Sequence, residues 1–355
     1  MAIISETKAA PTRLLLVSIP RTASNLLLRI LNIPKQPNLL TTKKGGYFFY
    51  QAFLDSTQNG SLENRPAEEW TDEQKDSVKN SCQTCFDSLE EWSSRAEQSE
   101  QVMFTKEHAY WMFSPATFYK STTGHHDEDF FKAFRIQLPE KYGNSQTFSP
   151  SNETMFPDEY LRTWQMLFII RHPALAWPSM YRAMQKLSDQ GILDDDGVRG
   201  TSVTNMSMRW TRLMYDWCME QPDAPVPPPV VDAHDLIHSP EIVLKVCEQT
   251  GLDKSVVQFE WPDKNENKSQ YWACHKPDAD SNEVKMHQSA AEVMLSTLEE
   301  SAGIVKDKAP DTVDISAEAA KWREEFGAEI GKLIEKCVHD SMPDYEYLKA
   351  RRITA

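Results

Sequence analysis

Glycine, cysteine and positive charge are all scarce in this chain. Its 355 residues include 12 glycines and six cysteines, and 38 lysines and arginines stand against 53 aspartates and glutamates, which gives a formal net charge of −15. So few glycines exclude collagen-like and glycine-rich low-complexity chains. The acidic balance argues against a nucleic-acid partner, because phosphate contacts need a basic face. It still allows an anionic small molecule to bind in a locally basic pocket.

The spacing of the cysteines also indicates neither a disulfide framework nor a zinc site. Cys82 and Cys85 form one C-x-x-C pair, but no second ligand pair follows at zinc-binding spacing. The longest apolar runs, Leu14–Val17 and Met166–Ile170, are far too short to span a membrane. The first residues lack the basic start and apolar stretch of a secretory signal. We therefore expect a cytoplasmic protein with free thiols, no metal and no membrane partner.

Short apolar runs alternate with helical patterns along the chain. Strands are predicted at 14–17, 101–106, 164–170 and 230–231, and helices at 26–31, 72–96, 174–187, 202–220, 240–250, 284–300 and 315–340. This alternation predicts an α/β fold over 1–355 as one domain, with a three-layer, mostly parallel sheet flanked by helices.

Three further stretches lack a clear strand or helix pattern. Residues 35–66 and 188–201 are expected to be irregular, and the polar, proline-broken stretch 121–160 is expected to be an insertion or mobile loop.

We expect residues 284–355 to form a C-terminal helical extension. Its helices either cover the sheet or form a homodimer surface, and periodicity does not decide between the two.

The loop after the first strand carries the sharpest chemical signal. Pro20, Arg21, Thr22, Ala23, Ser24 and Asn25 lie between a buried strand and a helix. Backbone N–H groups at such a helix start, together with a cation and hydroxyl and amide donors, make a phosphate-sized site. The Walker A pattern is absent, which argues against a kinase or GTPase. A plain strand–helix turn with a polar cap explains the local pattern equally well.

Two later strand ends also carry polar side chains. Lys106 and His108 stand two apart, so their side chains point to the same side. In open α/β sheets ligands bind beyond the carboxyl ends of strands, where Lys can offset developing charge and His can accept a proton. Arg171 ends the next strand, and Ser179 and Arg182 follow on a helix, so Arg171 and Ser179 could hold one phosphate. A solvated lysine, a structural histidine and an arginine paired with an acid are the simpler interpretations.

Other motifs carry less chemistry. His125, His126 and Asp127 could ligate a metal, but adjacent histidines in a polar stretch are usually solvated. The run Asp194–Gly197 resembles part of a calcium loop without the glutamate that should follow at position 12. The aromatic run Tyr47–Tyr50 either lines a pocket or packs in the core.

Together the three strand ends resemble the sulfotransferase superfamily, in its divergent fungal branch. In that family P-[KR]-[ST]-G-[ST]-T wraps a 5′-phosphosulfate, and here Pro20–Asn25 stands in its place. A later strand ends in K-x-H, here Lys106–His108. A third ends in Arg with a Ser eight residues later, here Arg171 and Ser179. The resemblance spans about residues 13–255, including the late strand and helix from Val230 to Gly251.

The resemblance implies a P-loop-like fold and an enzyme that uses 3′-phosphoadenosine 5′-phosphosulfate (PAPS) without a metal. It implies that His108 is the base and that Lys106 and Arg21 offset charge. It further implies that Arg21 to Asn25 hold the 5′-phosphate and that Arg171 and Ser179 hold the 3′-phosphate. The partner is then a small hydroxylated or phenolic acceptor, bound by the variable stretches 40–60, 110–160 and 260–280.

Two departures from the family pattern open alternatives. Ala23 replaces the usual glycine, and the late G-x-x-G-x-x-K clamp is not recognisable in Tyr271–Pro277. One alternative is an enzyme of secondary metabolism with this fold that no longer uses PAPS and catalyses hydrolysis, elimination or cyclisation on a small metabolite. Another is a non-catalytic binding protein with a degenerate nucleotide site.

Overall fold

Five parallel strands form the centre of the protein. The computed structural model describes residues 12–42, 45–58, 62, 65–144, 146–191, 195–221, 227–261 and 303–354. The strands are β1 (Arg13–Ser18), β2 (Leu39–Leu40), β3 (Val102–His108), β4 (Gln165–Ile170) and β5 (Val230–Asp232). Their order across the sheet is β2-β3-β1-β4-β5, and every pair is parallel. The predicted α/β class with a mostly parallel sheet is confirmed.

Helices cover both faces of this sheet. They are α1 (Ser24–Ile30), α2 (Tyr50–Gln58), α3 (Asp72–Gln98), α4 (Pro115–Thr123), α5 (Glu128–Ala133), α6 (Asp158–Leu161), α7 (Pro173–Asp189), α8 (Asp195–Asn205), α9 (Arg209–Glu220), α10 (Ala233–His238), α11 (Ile242–Thr250), α12 (Ile315–Phe326) and α13 (Ala328–Lys349). Among the described residues, no helix combines the length and apolar character that crossing a membrane requires.

Alternate strand residues enter two separate cores. Leu15 and Val17 of β1 pack with α3, α7, α9 and α13 on one face. Leu14 and Leu16 pack with α1 and α11 on the other face. Because both faces are buried, each strand is a continuous apolar run, as expected for a parallel sheet between helices.

The C-terminal helices cover the sheet. Ile334, Val338 and Leu348 of α13 are buried in the core beside α7. The structure has two helices where the periodicity predicted one over 315–340, because Gly327 adopts φ 84° and ψ 165° and interrupts the helix. The predicted helix at 284–300 and the segment Tyr271–Pro277 lie outside the described residues.

Two stretches that were expected to be irregular form helices, and one predicted helix is interrupted. Residues 50–58, expected to be irregular, form α2. Residues 195–201, also expected to be a loop, form most of α8. The predicted helix at 202–220 is broken at 206–208, before α9 begins.

The stretch 121–160 belongs to the packed structure. It contains α5 and α6, and Phe130, Phe134 and Ile136 are buried in the core. This packing corrects the expectation of a mobile loop. That the stretch is an insertion stays a prediction.

Candidate active site

The carboxyl ends of β1, β3 and β4 lie side by side and bring the predicted site residues together. β1 lies between β3 and β4, so the loop after Ser18 runs between the end of β3 and the end of β4. The register pairs Ser18 with His108 directly across the strands. The sheet order therefore places residues 21–25 between Lys106 and His108 on one side and Arg171 on the other.

The loop from Ile19 to Ala23 has an unusual backbone. Arg21 has φ 68° and Ala23 has φ 66°, both in the left-handed region that side chains other than glycine rarely adopt. α1 begins directly after Ala23, and no side chain caps its first turn. Left-handed residues in a turn direct successive N–H groups toward one point, which forms a concavity suited to an anion.

Thr22 takes a different part in this loop from the one expected. Its side chain is fully buried, and its hydroxyl donates to the carbonyl oxygen of Ile19 at 2.7 Å. That single proton is then not available for a phosphate. In this structure the Thr22 side chain therefore holds the loop, and that Thr22 binds a phosphate stays a prediction.

Two arginines meet at the end of β4. Nε of Arg21 donates to Oγ of Ser179 at 2.9 Å, and Nη1 of Arg171 donates to the carbonyl oxygen of Arg21 at 3.0 Å. Nη2 of Arg171 donates to the carbonyl oxygen of Lys308 at 2.9 Å, while its buried Nε has no hydrogen-bond partner among the described residues. Arg21 therefore lies with Arg171 and Ser179, the residues expected at the 3′-phosphate.

The electrostatics of this pair favour an anionic ligand. Burial, reinforced by the charge of Arg21, lowers the pKa of Arg171 to about 10. Burial and the charge of Arg182 lower the pKa of Arg21. Two cations that repel each other out of water are stabilised when a negative charge joins them. Arg182 itself donates two hydrogen bonds of 2.5 and 2.6 Å to Glu325. It is therefore an arginine paired with an acid, the simpler of the two interpretations of its sequence position.

Lys106 is fully buried, which is rare for a lysine. Its Nζ donates to Oδ1 of Asn25 and lies 4.3 Å from the centre of the Tyr47 ring. Burial lowers its pKa to about 7, and the neighbouring Glu107 carboxyl opposes that shift. The ammonium group is therefore poised to lose or gain a proton near neutral pH.

His108 is held by the serine opposite it. Nδ1 lies 3.0 Å from Oγ of Ser18, and the Ser18 hydroxyl donates to the carbonyl oxygen of Glu107 at 3.2 Å. Since the hydroxyl has one proton, Nδ1 carries the ring proton and donates to Oγ, which leaves the lone pair on Nε2. Burial and the Lys106 charge hold the pKa of His108 well below its usual range, so the ring is neutral.

Gly46 and Tyr47 close the site over Lys106. The Tyr47 N–H donates to the Lys106 carbonyl oxygen at 2.8 Å, and the Lys106 N–H donates to the Gly45 carbonyl oxygen at 2.9 Å. A Cβ on Gly46 would lie 2.2 Å from the Lys106 carbonyl oxygen, so only glycine fits this approach. The Glu107 carboxylate accepts from the Phe48 N–H at 2.6 Å and anchors the same loop.

An apolar wall of aromatic rings borders His108. The Trp111 ring lies 4.6 Å from the His108 ring and contacts Tyr47, Tyr50 and Phe53. Behind Trp111 is a cavity of about 40 Å³, whose lining includes Phe53, Val78, Cys82, Tyr110 and Phe118. Of the aromatic run Tyr47–Tyr50, Tyr47 and Tyr50 thus contact Trp111, and Phe48 lies in the loop over Lys106.

Sequence reasoning missed Ser18 and left Tyr47 undecided. The signal for Ser18 was its place as the last residue of the first strand, opposite the end of the K-x-H strand. The other weak candidates lie away from this site: Asp127 caps α5 through the Phe130 N–H, and His126 contacts Glu128 at 3.0 Å.

Comparisons with known proteins identify the family. No family model matches the chain. A protein of Metarhizium rileyi, named sulfotransferase ppzF, is 34% identical over 356 residues, which cover 97% of each chain. The protein of that name from Metarhizium majus is 34% identical over 367 residues, covering 99% of this chain and 100% of the other. The chain belongs to the sulfotransferase family.

As a member of this family the protein is a transferase. Among solved structures, the sulfotransferase domain from the Synechococcus PCC 7002 olefin synthase matches with a TM-score of 0.33 and 12% identity, over 90% of this chain and 96% of that one. Family membership depends on the two Metarhizium sulfotransferases.

Proposed function

We propose that this sulfotransferase moves the sulfuryl group of PAPS to a hydroxyl or phenol of a small-molecule acceptor, with His108 as the base. The observation that carries the proposal is the arginine pair at the end of β4, where the buried Nε of Arg171 lacks a partner among the described residues. A buried donor on a charged group calls for an acceptor. The residues present fit the two phosphate groups of PAPS.

Arg171 and Ser179 would hold the 3′-phosphate, with Arg21 beside them. The Arg21 guanidinium already lies on Ser179, so the three groups converge without rearrangement of the backbone. The backbone N–H groups of Ala23, Ser24 and Asn25 would hold the 5′-phosphate in the concavity after β1. When bound, PAPS supplies a sulfuryl group attached to a phosphate leaving group.

His108 and Lys106 would carry the chemistry. The neutral His108 offers Nε2 to the acceptor hydroxyl and takes its proton, with the ring held in that tautomer by Ser18. Lys106, positioned by Asn25, places a positive charge beside the same site. A preorganised charge out of water stabilises negative charge that develops in the transition state. Arg21 adds its charge from the other side of the loop.

The acceptor would lie against Trp111 and Tyr47. We place the enzyme in the cytoplasm, because the five cysteines that the structure describes are free thiols, as a reducing compartment keeps them. The transfer that we propose needs no metal ion.

Calorimetry with adenosine 3′,5′-bisphosphate, with AMP for comparison, tests the binding site. We expect the bisphosphate to bind and AMP to bind far more weakly. Arg171→Ala should weaken the bisphosphate about 10- to 100-fold, the value of a lost charge-assisted hydrogen-bond pair. Arg162→Ala, an exposed arginine before the amino end of β4 that is bound to Gln221, should leave the affinity unchanged. Equal affinity for both nucleotides would overturn the PAPS assignment.

Activity tests the base. His108→Ala should lower turnover about 10²- to 10⁴-fold with bisphosphate binding retained. Normal turnover in this variant would remove His108 as the base. An enzyme that uses the same pocket without PAPS remains the second candidate, favoured by the buried Thr22 hydroxyl and by Ala23. It predicts no stabilisation of the fold by the bisphosphate.

A further inference from the structure

A cluster of two histidines and an aspartate lies beside the segment that contacts Arg171. His234 and His238 are four residues apart on α10, and their rings are 4.5 Å apart. Asp311 comes from the segment that precedes α12, and its Oδ1 lies 3.3 Å from Nε2 of His234. One ligand atom from each of the three residues lies within 4.8 Å of the other two. None of these residues takes part in the proposed reaction.

We propose that His234, His238 and Asp311 bind one zinc ion. Imidazole and carboxylate are ordinary zinc ligands, and three protein ligands leave the fourth position to water. At zinc–ligand distances of about 2.0–2.1 Å, neighbouring corners of a tetrahedron are about 3.3 Å apart. The separation of His234 Nε2 from Asp311 Oδ1 already has that value.

The second ring nitrogens make the contacts that ligating histidines usually have. Nε2 of His238 donates to the carbonyl oxygen of Ala309 at 2.6 Å, so its lone pair is on Nδ1. Nδ1 of His234 faces Oδ1 of Asp235 at 3.4 Å, and the other oxygen of Asp235 accepts from Arg352 at 2.6 Å. Such outer contacts to carbonyls and carboxylates orient the rings of metal-binding histidines.

An ion can reach the cluster from solvent. The side chain of Asp311 is 86% exposed, and that of His234 is 36% exposed. A contact between groups this exposed adds little stability by itself, because water screens it. A zinc ion would therefore be the main attachment of Asp311 to α10.

This attachment has a consequence for the neighbouring site. The carbonyl oxygen of Lys308 accepts from Arg171, and the carbonyl oxygen of Ala309 accepts from His238. Zinc would hold the segment Lys306–Asp311 against α10 at the point where that segment contacts Arg171. The ion would thus position this segment, and its ligands lie outside the residues assigned to transfer.

Titration calorimetry of the chelator-stripped full chain with zinc chloride tests the proposal. We expect one equivalent of zinc to bind the wild type. His234→Ala and His238→Ala should each weaken it by more than the roughly 10- to 100-fold typical of losing an outer contact. Asp311→Asn should weaken it as well. His339→Ala and Asp307→Asn, an exposed histidine and an exposed aspartate outside the cluster, should bind zinc as the wild type does.

Hydrogen exchange supplies a second readout that needs no activity. Zinc should slow exchange in residues 306–311 of the wild type and leave it unchanged in His234→Gln, which keeps a polar side chain if His234→Ala fails to fold. A wild type that binds no zinc, or a folded His234→Ala with wild-type zinc affinity, would overturn the site. In that case the histidines only dock the segment by hydrogen bonds. Neither result depends on whether the protein uses PAPS.

Discussion

Ser18 and His108 occupy paired positions on neighbouring parallel strands, and Oγ of Ser18 lies 3.0 Å from Nδ1 of His108. Because the Ser18 proton goes to the Glu107 carbonyl oxygen, the serine accepts from the ring. One hydrogen bond thus determines which nitrogen of His108 can take a proton. The tautomer of His108 thus depends on a residue of another strand, 90 positions away along the chain.

Ser18→Ala should lower kcat/KM about tenfold, the value of one hydrogen bond at the reacting group. The backbone of Ser18 raises the pKa of His108 and is retained in this variant, but the Oγ acceptor that stabilises the protonated ring is lost. Its loss should move the acid limb of the pH profile to lower pH. ¹⁵N NMR of the ring, which needs no acceptor, should show a protonated Nδ1 in the wild type. A Ser18→Ala enzyme with an unchanged pH profile would show that the serine is only a packing residue.

Lys106→Met should stabilise the fold while it abolishes transfer. Burying a single charge costs several kcal/mol, so an apolar side chain of similar size should raise the free energy of unfolding. Burial lowers the pKa of Lys106 to about 7 from its usual 10.5. The destabilisation is therefore complete below about pH 7 and disappears as the pH rises toward 10.5, where the unfolded lysine is neutral too.

Urea unfolding of the wild type and Lys106→Met at several pH values measures this difference. We expect the increase in the free energy of unfolding caused by Lys106→Met to be largest at pH 6 and to shrink steadily toward pH 10. A gain that is constant with pH would contradict a neutral Lys106 above pH 7. A lower free energy of unfolding for Lys106→Met than for the wild type at every pH would mean that the hydrogen bond to Asn25 stabilises the fold more than the burial of the charge destabilises it.

Ala23→Gly should stabilise the protein by about 0.5–1 kcal/mol, because a left-handed backbone strains alanine by about 1–2 kcal/mol and glycine hardly at all. Ala320→Gly, the same change at an exposed position within α12, should destabilise it by about 1 kcal/mol. Denaturant unfolding of both variants checks the opposite signs. If both substitutions changed the free energy of unfolding in the same direction, the backbone at Ala23 would not be strained.

Gly46→Ala should be far more harmful than Gly124→Ala, although both glycines have positive φ. A Cβ at 46 meets the backbone of Lys106 at 2.2 Å, whereas a Cβ at 124 meets no atom within 4 Å. We expect about 1 kcal/mol for Gly124→Ala and at least about 3 kcal/mol for Gly46→Ala, with loss of activity as Tyr47 leaves Lys106. Similar melting temperatures for the two variants would show that the 45–47 loop is free to move.

The sequence alone determined the class of fold and the edge of the sheet where the candidate site residues lie. Continuous apolar runs at 14–17 and 164–170 predict strands buried on both faces, and such strands need helices on both sides. Polar residues directly after those runs, such as Arg21 and Arg171, fall at the carboxyl ends of parallel strands and therefore at one edge of the sheet. These inferences use only local periodicity.

Tertiary structure decided what periodicity does not encode. The strand order puts Ser18 beside His108 and joins Arg21 to Ser179, and no local pattern reports which strands are neighbours. The Thr22 hydroxyl turns to its own loop because burial forces each polar group to find the nearest partner. Gly327 divides one periodic stretch into α12 and α13 through a backbone angle that side-chain spacing does not reveal. The contacts between Asp311 and α10 likewise exist only after the chain has folded, because 77 residues separate Asp311 from His234.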